Sequence, residues 1–316
     1  MISSKIVSCT IKLIVLNVYI MNAQISKYNA LTDAERKVII DKGTEYPGTG
    51  IYLKNRAEGI YICKQCNAPL FHSSHKFDSE CGWPSFDDEI RGAVKTLPDA
   101  DGNRTEIVCE NCNGHLGHMF LNEGFTVKNK RDCVNSISIK FIKKGIVLPE
   151  MIPNIEGAEI AYFASGCFWG TEFFMQRAEG VLNTTVGYLG GDAGNPSYED
   201  VCSGNTGYAE TVKVVFDKSK TSFEQLAKLF FETHDPTQLN RQGPDIGSQY
   251  RSAIFYINDN QRDVAISLVD VLKSKGMKIA TEITPAKVFY EAEKYHQNYY
   301  GKMGGRPYCH SYRKLF

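Results

Sequence analysis

Surplus charge is the first thing this chain lacks: 36 Lys plus Arg balance 36 Asp plus Glu over 316 residues. No arginine-rich stretch breaks that balance, so nothing asks for a nucleic-acid partner. Gly-x-Gly-x-x-Gly and the phosphate-binding loop are both missing, and no organic cofactor is expected. Beyond residue 23 no apolar run is long enough to span a bilayer as a helix. No internal repeat relates the two halves, which excludes a duplication. Tryptophan occurs only twice, and each stands two residues after a cysteine, Trp83 after Cys81 and Trp169 after Cys167. Ten cysteines are too few for a disulfide scaffold of this length and too many for incidental burial, so they must be sorted by neighbourhood.

Residues 1–23 join a basic start to a compact apolar run that ends Met-Asn-Ala-Gln, the pattern of an export signal cleaved near Ala23. That reading removes Cys9 and places the mature protein in the periplasm or outside the cell. The alternative is a hydrophobic N-terminal arm on a cytoplasmic protein.

Residues 28–144 read as one domain. Thr32 with Asp33 and Glu35 marks a helix start, and Gly43 its stop. From 51 onward, short apolar runs between glycines and polar turns predict a mainly β domain, with 135–142 alternating as a half-buried strand. Cys63-Lys-Gln-Cys66 and Cys109-Glu-Asn-Cys112 each end a strand-like run. Two such knuckles bring four thiolates to one tetrahedral point, a closed structural zinc site with one ion per chain. Two dithiol redox pairs are the competing reading. Cys81 lies in a turn-rich aromatic loop, and Cys133 precedes the alternating run, where Arg131 would favour its thiolate. His115 and His118 follow the second knuckle as surface residues, spare ligands or acid–base groups.

Residues 145–157, with Pro149 and Pro153, read as a linker. From 158 to 316 the pattern changes to strands (160–163, 211–216, 252–257) alternating with helices (172–178, 223–233, 262–275), a layered α/β or α+β domain. Ala-Ser-Gly-Cys-Phe-Trp-Gly at 164–170 reads as strand, glycine turn and helix start. Cys167 then sits at a positive helix end, where a lowered pKa is expected; plain burial is the bland alternative.

These residues carry two resemblances. Stretches 60–86, 107–120 and 131–139 closely resemble the methionine sulfoxide reductase B family, over about 28–142. The resemblance implies zinc on Cys63, Cys66, Cys109 and Cys112, Cys133 as nucleophile, Cys81 as resolving thiol and Trp83 against the substrate methyl. It also implies supporting roles for His115, His118, Arg131 and Asn135; Asn122 and Asp132 depart from the usual pattern. Stretches 165–172, 187–191, 198–210, 234–252 and 296–300 resemble the methionine sulfoxide reductase A family, from about 160 to the end. This implies a two-layer α+β sandwich with Cys167 as nucleophile and Phe168 and Trp169 around the methyl group. Glu210 would be the proton donor, Tyr198 and Tyr250 would bind the oxygen, and Asp245 would organise the pocket. A sulfoxide oxygen leaves poorly until protonated, so an acid with a raised pKa is what the chemistry needs. Cys309, on a glycine-rich tail (Gly301, Gly304, Gly305) free to swing, is the implied resolving thiol and Cys202 the alternative. Tyr208 stands where histidine is usual.

The joint implication is a bifunctional enzyme. The first domain would reduce the R epimer and the second the S epimer, each through a sulfenic acid and an internal disulfide reduced by thioredoxin or a similar dithiol. A thiol–disulfide oxidoreductase with structural zinc is the rival enzyme. A zinc-knuckle binding module on a scaffold is the non-enzymatic rival.

Overall fold

The computed structural model describes residues 28–99, 102–192 and 194–316, so the expected export signal lies outside it. Helix Asp33–Ile39 starts at Thr32 with a reciprocal cap, the Thr32 hydroxyl on the Glu35 N–H and the Glu35 carboxylate on the Thr32 N–H. The first domain then builds a three-stranded antiparallel sheet, ordered Pro69–His72, Gly59–Cys63, Ile139–Lys143. A six-stranded antiparallel sheet follows the order Lys76–Phe77, Ser85–Phe86, Lys130–Val134, His115–Leu121, Thr105–Cys109, Val94–Pro98. Tyr61, Phe71, Phe86, Ile107 and Val134 are sealed in the core shared by these sheets.

The alternating stretch 135–142 is not one strand. Ser136–Ser138 forms a 3-10 turn, and the strand begins at Ile139. The reason is polar: the Ser136 N–H donates to Glu45 Oε2 (2.8 Å), and its hydroxyl accepts from the Tyr52 N–H (3.2 Å). Those bonds draw the backbone away from a ladder.

The second domain is a six-stranded mixed sheet ordered Glu282–Pro285, Ser252–Tyr256, Ala158–Ser165, Ala209–Asp217, Val181–Leu189, Tyr290–Glu291. The pair Ser252–Tyr256 and Glu282–Pro285 runs parallel and the others antiparallel. Strand alternation gives the sheet two apolar faces. Phe163, Val212, Val214 and Phe216 pack with Phe223, Phe230 and Leu268 of the helices. Tyr162, Ala164 and Phe255 occupy the opposite face, which Met151 of the linker meets.

Helix Phe223–Thr233 lies where its pattern predicts, capped by Ser222 and Gln225. Helix Phe168–Met175 starts earlier than 172, because Cys167 itself is the N-cap residue. Helix Asp259–Ser274 begins after Asn258, whose side chain caps Gln261.

The linker is a strap rather than a loose tether. Its Ile152 N–H donates to the Cys66 carbonyl (2.9 Å), and Asn111 donates to the Ile152 carbonyl (2.7 Å). Asn67 donates to the Glu150 carbonyl (2.9 Å). Leu148 packs on the second domain's core while Met151 and Ile152 pack on the first, so the strap joins both cysteine knuckles to the domain boundary.

Candidate active sites and metal centre

Four cysteines meet at the base of the first domain. The sulfurs of Cys63 and Cys112 lie 3.6 Å apart, as do those of Cys66 and Cys109, and all four ligand atoms fall within 4.8 Å of one another. Tetrahedral coordination at a metal–sulfur distance of about 2.3 Å requires sulfur–sulfur edges of about 3.8 Å, so the donor set fits a tetrahedral thiolate ion. All four residues are buried and leave no open position for a substrate.

Strand Lys130–Val134 carries Cys133 between Ser85 on one neighbouring strand and His118 on the other. Its sulfur lies 3.5 Å from that of Cys81. The pairing favours negative charge on Cys81 over Cys133. The hydrogen bond from Cys133, with support from the Ser79 and Ser85 hydroxyls, pulls the Cys81 thiol down to about 4. That same bond, then burial, pushes the Cys133 thiol up, and the nearby Arg131 guanidinium lowers it too little to compensate. Arg131 does favour the Cys133 thiolate, as expected from its charge, but the neighbouring sulfur and burial act more strongly in the other direction.

Three carboxylates that sequence reasoning missed hold this site's polar groups. Arg131 forks onto Glu123 at 2.6 and 2.8 Å with its guanidinium 4.3 Å from the Phe120 ring centroid. His115 Nδ1 meets Glu106 Oε1 at 2.8 Å, and His118 Nε2 meets Asp99 Oδ2 at 2.8 Å. Burial lowers the His115 pKa despite Glu106, and its Nε2 has no hydrogen-bond partner among the described residues. Asn135 acts as a backbone clamp, accepting from the Glu45 N–H (2.9 Å) and donating to the Leu116 carbonyl (3.0 Å). Trp83 is tied by its indole N–H to the Glu45 carbonyl (2.9 Å). Asp132 points away from this cluster into a buried contact with Lys130 (3.0 Å), and burial raises its carboxyl to about 7. No short-range sequence signal marks Glu106, Glu123 or Asp99, since each reaches its partner across a hairpin or loop.

In the second domain Cys167 sits at the end of strand Ala158–Ser165, at the N-terminus of helix Phe168–Met175. The thiol is not lowered as expected. The nearby Cys309 thiol and then burial raise it well above the usual thiol range, while the Trp169 N–H pulls the other way. The helix terminus is thus outweighed by a second thiol already in place.

Glu210 is fully buried, and one carboxyl oxygen accepts the Phe168 N–H at 3.0 Å. Burial, then the nearby Cys167, holds its carboxyl well above the normal range, as the chemistry asked. Tyr198 and Tyr250 both feel its charge, and burial raises both phenols. Trp169 stacks on Tyr299 at 3.8 Å between ring centroids, and its indole N–H donates to His296 Nδ1 (3.2 Å). Phe168 is sealed in the core beside Tyr188 and His296, which leaves Trp169 as the more open of the two aromatics. Asp245 accepts the Tyr308 hydroxyl at 3.1 and 3.2 Å, holding the tail by its side chain.

The tail does not swing free; it is docked. Ser311 and Arg313 bond by their N–H groups to the Thr233 and Glu232 carbonyls (3.1 and 2.7 Å). His310, absent from the expected site, is buried with Nδ1 3.0 Å from the Cys309 sulfur and Nε2 3.3 Å from Ser165 Oγ. Burial keeps it neutral by lowering its pKa to about 4. A Cβ on Gly170 would stand 2.1 Å from His310 Nδ1, so glycine there is what admits the tail. Cys202 is exposed at the end of helix Tyr198–Cys202, on the Tyr198 side of the pocket rather than beside Cys309.

A family model described as peptide methionine sulfoxide reductase matches residues 159–315, and a SelR domain model matches residues 31–143. The peptide methionine sulfoxide reductase MsrA of Nautilia profundicola is 47% identical over 149 residues, which are 47% of this chain and 86% of that protein. The corresponding protein of Ruthia magnifica is 51% identical over 151 residues, 48% of this chain and 91% of its own. Among solved structures, reduced Mxr1 from Saccharomyces cerevisiae is 36% identical with a TM-score of 0.48, covering 50% of this chain and 93% of that one.

Proposed function

Because this chain belongs to the peptide methionine sulfoxide reductase family, we propose that its two thiol pairs are two separate catalytic centres, Cys133 with Cys81 and Cys167 with Cys309. The protein is a bifunctional methionine sulfoxide reductase, its SelR domain acting on the R epimer and its second domain on the S epimer. The observation that carries the assignment of residues is the pairing itself: each half brings two thiols near one another, 3.5 Å apart in the first and close enough to interact in the second, beside a tryptophan and ionisable groups.

At the second site burial favours the protonated form of both Glu210 and Cys167. Glu210 gives its proton to the sulfoxide oxygen as the Cys167 sulfur attacks the substrate sulfur, and the proton leaving Cys167 returns to Glu210. The new sulfur–sulfur bond and the substrate's sulfur–oxygen bond both break as the oxygen passes to the Cys167 sulfur, so methionine departs and Cys167 is left as a sulfenic acid. Tyr198 and Tyr250 bind the oxygen, Phe168 and Trp169 enclose the methyl group, and Asp245 seats the tail. Cys309 then attacks the sulfenic acid, releasing water and leaving a Cys167–Cys309 disulfide.

At the first site Cys133 passes its proton to Cys81 and attacks as the thiolate. His118, oriented by Asp99, supplies the proton to the oxygen, with His115 behind it. Cys81 closes the disulfide and releases water, Trp83 lies against the methyl group, and Arg131 and Asn135 shape the site. A dithiol protein of the thioredoxin type supplies the two electrons and two protons that reset each disulfide. In the four-cysteine site, zinc would clamp the two knuckles by Cys63, Cys66, Cys109 and Cys112, with no part in the turnover. The second domain is read as a two-layer α+β sandwich, the domains as 28–144 and 158–316, and residues 1–23 as an export signal for the periplasm or beyond.

One equivalent of each epimer, added without reductant and followed by alkylation and peptide mass mapping, tests this. The R epimer should produce Cys81–Cys133 and the S epimer Cys167–Cys309. A disulfide within Cys63–Cys66 or Cys109–Cys112 as the first product would favour the thiol–disulfide oxidoreductase instead.

A further inference from the structure

The first domain reaches the S-epimer site of the second through one loop. Ile90 of that loop is buried in the second domain's core. On the other side stands Asn195, three residues before Tyr198, held at a left-handed φ of 40°. Its amide donates to Asp88 Oδ2 (3.1 Å) and the Glu89 carbonyl (2.7 Å), and its side-chain oxygen accepts the Arg91 N–H (3.3 Å).

The Arg91 guanidinium then donates to Glu293 Oε1 (3.0 Å) and to the Glu291 carbonyl (3.3 Å). That same Glu293 oxygen accepts the backbone N–H of Tyr198 at 3.2 Å, while Oε2 accepts the Tyr188 hydroxyl at 2.9 Å. Glu293 is therefore the shared acceptor of a first-domain cation and of the first turn of helix Tyr198–Cys202.

We propose that Arg91 is a positioning residue for reduction of the S epimer: by fixing Glu293, the first domain sets where Tyr198 stands. The proposal rests on the reading that Tyr198 binds the sulfoxide oxygen. A helix of one turn has little rigidity of its own, so its place is set by what its first N–H groups bond to. Arg91 gives Glu293 a charge-assisted bond and a fixed orientation. Without it the carboxylate keeps the Tyr188 hydroxyl and its own backbone N–H and is freer to turn away from the Tyr198 N–H. A small misplacement of an oxygen-binding group lowers turnover more than it weakens binding.

Arg91 is a better probe than Glu89, because Glu89 also pairs with Lys130, whose ammonium lies 3.0 Å from Asp132 beside Cys133. The experiment is steady-state kinetics of the full chain on each epimer for Arg91→Ala, Arg91→Lys and Tyr198→Phe. Arg91→Ala should lower kcat/KM for the S epimer by about tenfold, mostly in kcat, and leave the R epimer within about twofold. Arg91→Lys, which keeps the cation, should recover most of the loss. Because Arg91 belongs to the R-reducing domain, retained R activity also reports that the variant folds.

Unchanged S reduction in Arg91→Ala, or an equal loss on both epimers, would overturn the proposal. Tyr198→Phe separates the two layers of the argument. If it lowers S reduction while Arg91→Ala does not, the interdomain route alone fails. If Tyr198→Phe is silent, the oxygen-binding reading fails and the route through Tyr198 falls with it.

Discussion

At the residue scale, the behaviour of the second site turns on a carboxyl group that burial keeps protonated. Glu210→Gln removes a proton but keeps the acceptor for the Phe168 N–H. S-epimer reduction should fall by about 100- to 10,000-fold with R-epimer reduction unchanged, read as kcat on each substrate. The stability consequence has a definite sign. The folded-state pKa of Glu210 is raised by burial, so the unfolded chain ionises this group first as pH rises. Its contribution is full below the unfolded value of about 4.3 and is lost as pH climbs above it. Glu210→Gln should therefore stabilise the protein, by a margin that grows from pH 5 to pH 8 in denaturant melts; a margin independent of pH would contradict the raised pKa. That this glutamate needs a raised pKa was legible from the chemistry of a poor leaving group. The carboxylates that hold His115, His118 and Arg131 were not, because Glu106, Asp99 and Glu123 meet them only once strands are in register.

At the element scale, two segments that read as loose are fastened. The tail is docked through His310 against Gly170, so Cys309 is held in the neighbourhood of Cys167. Cys309→Ser should leave the first S-epimer turnover intact, with one methionine released per chain. Thioredoxin-dependent turnover should stop, and the sulfenic acid should become trappable by dimedone. The 145–157 strap is bonded to both cysteine knuckles, to Cys66 by its carbonyl and to Asn67 and Asn111 by their side chains. Stripping the metal under mild denaturant should therefore abolish R-epimer reduction and expose the strap to protease. Chelator-released metal should measure one zinc per chain. The strap's prolines and lack of periodicity read as a connector, but its bonds depend on knuckle residues 41 and 83 positions away. Helix Phe223–Thr233 was fully readable because its cap and its amphipathic pattern are both local. The 135–142 run misled for the opposite reason, since Ser136 bonds to Glu45 and Tyr52 far upstream.

At the scale of the whole molecule, one chain holds two thiol pairs of like chemistry on unlike folds, sharing a boundary but no catalytic residue. Arg91 and Asn195 tie that boundary to the second domain, while Cys133 and Cys167 keep separate thiol neighbours. The measurement that tests the central claim most directly is epimer-resolved reduction of methionine sulfoxide with dithiothreitol by the wild type, Cys133→Ser and Cys167→Ser. The account predicts that the first substitution abolishes only R reduction and the second only S reduction. Loss of both activities from either single substitution would contradict it.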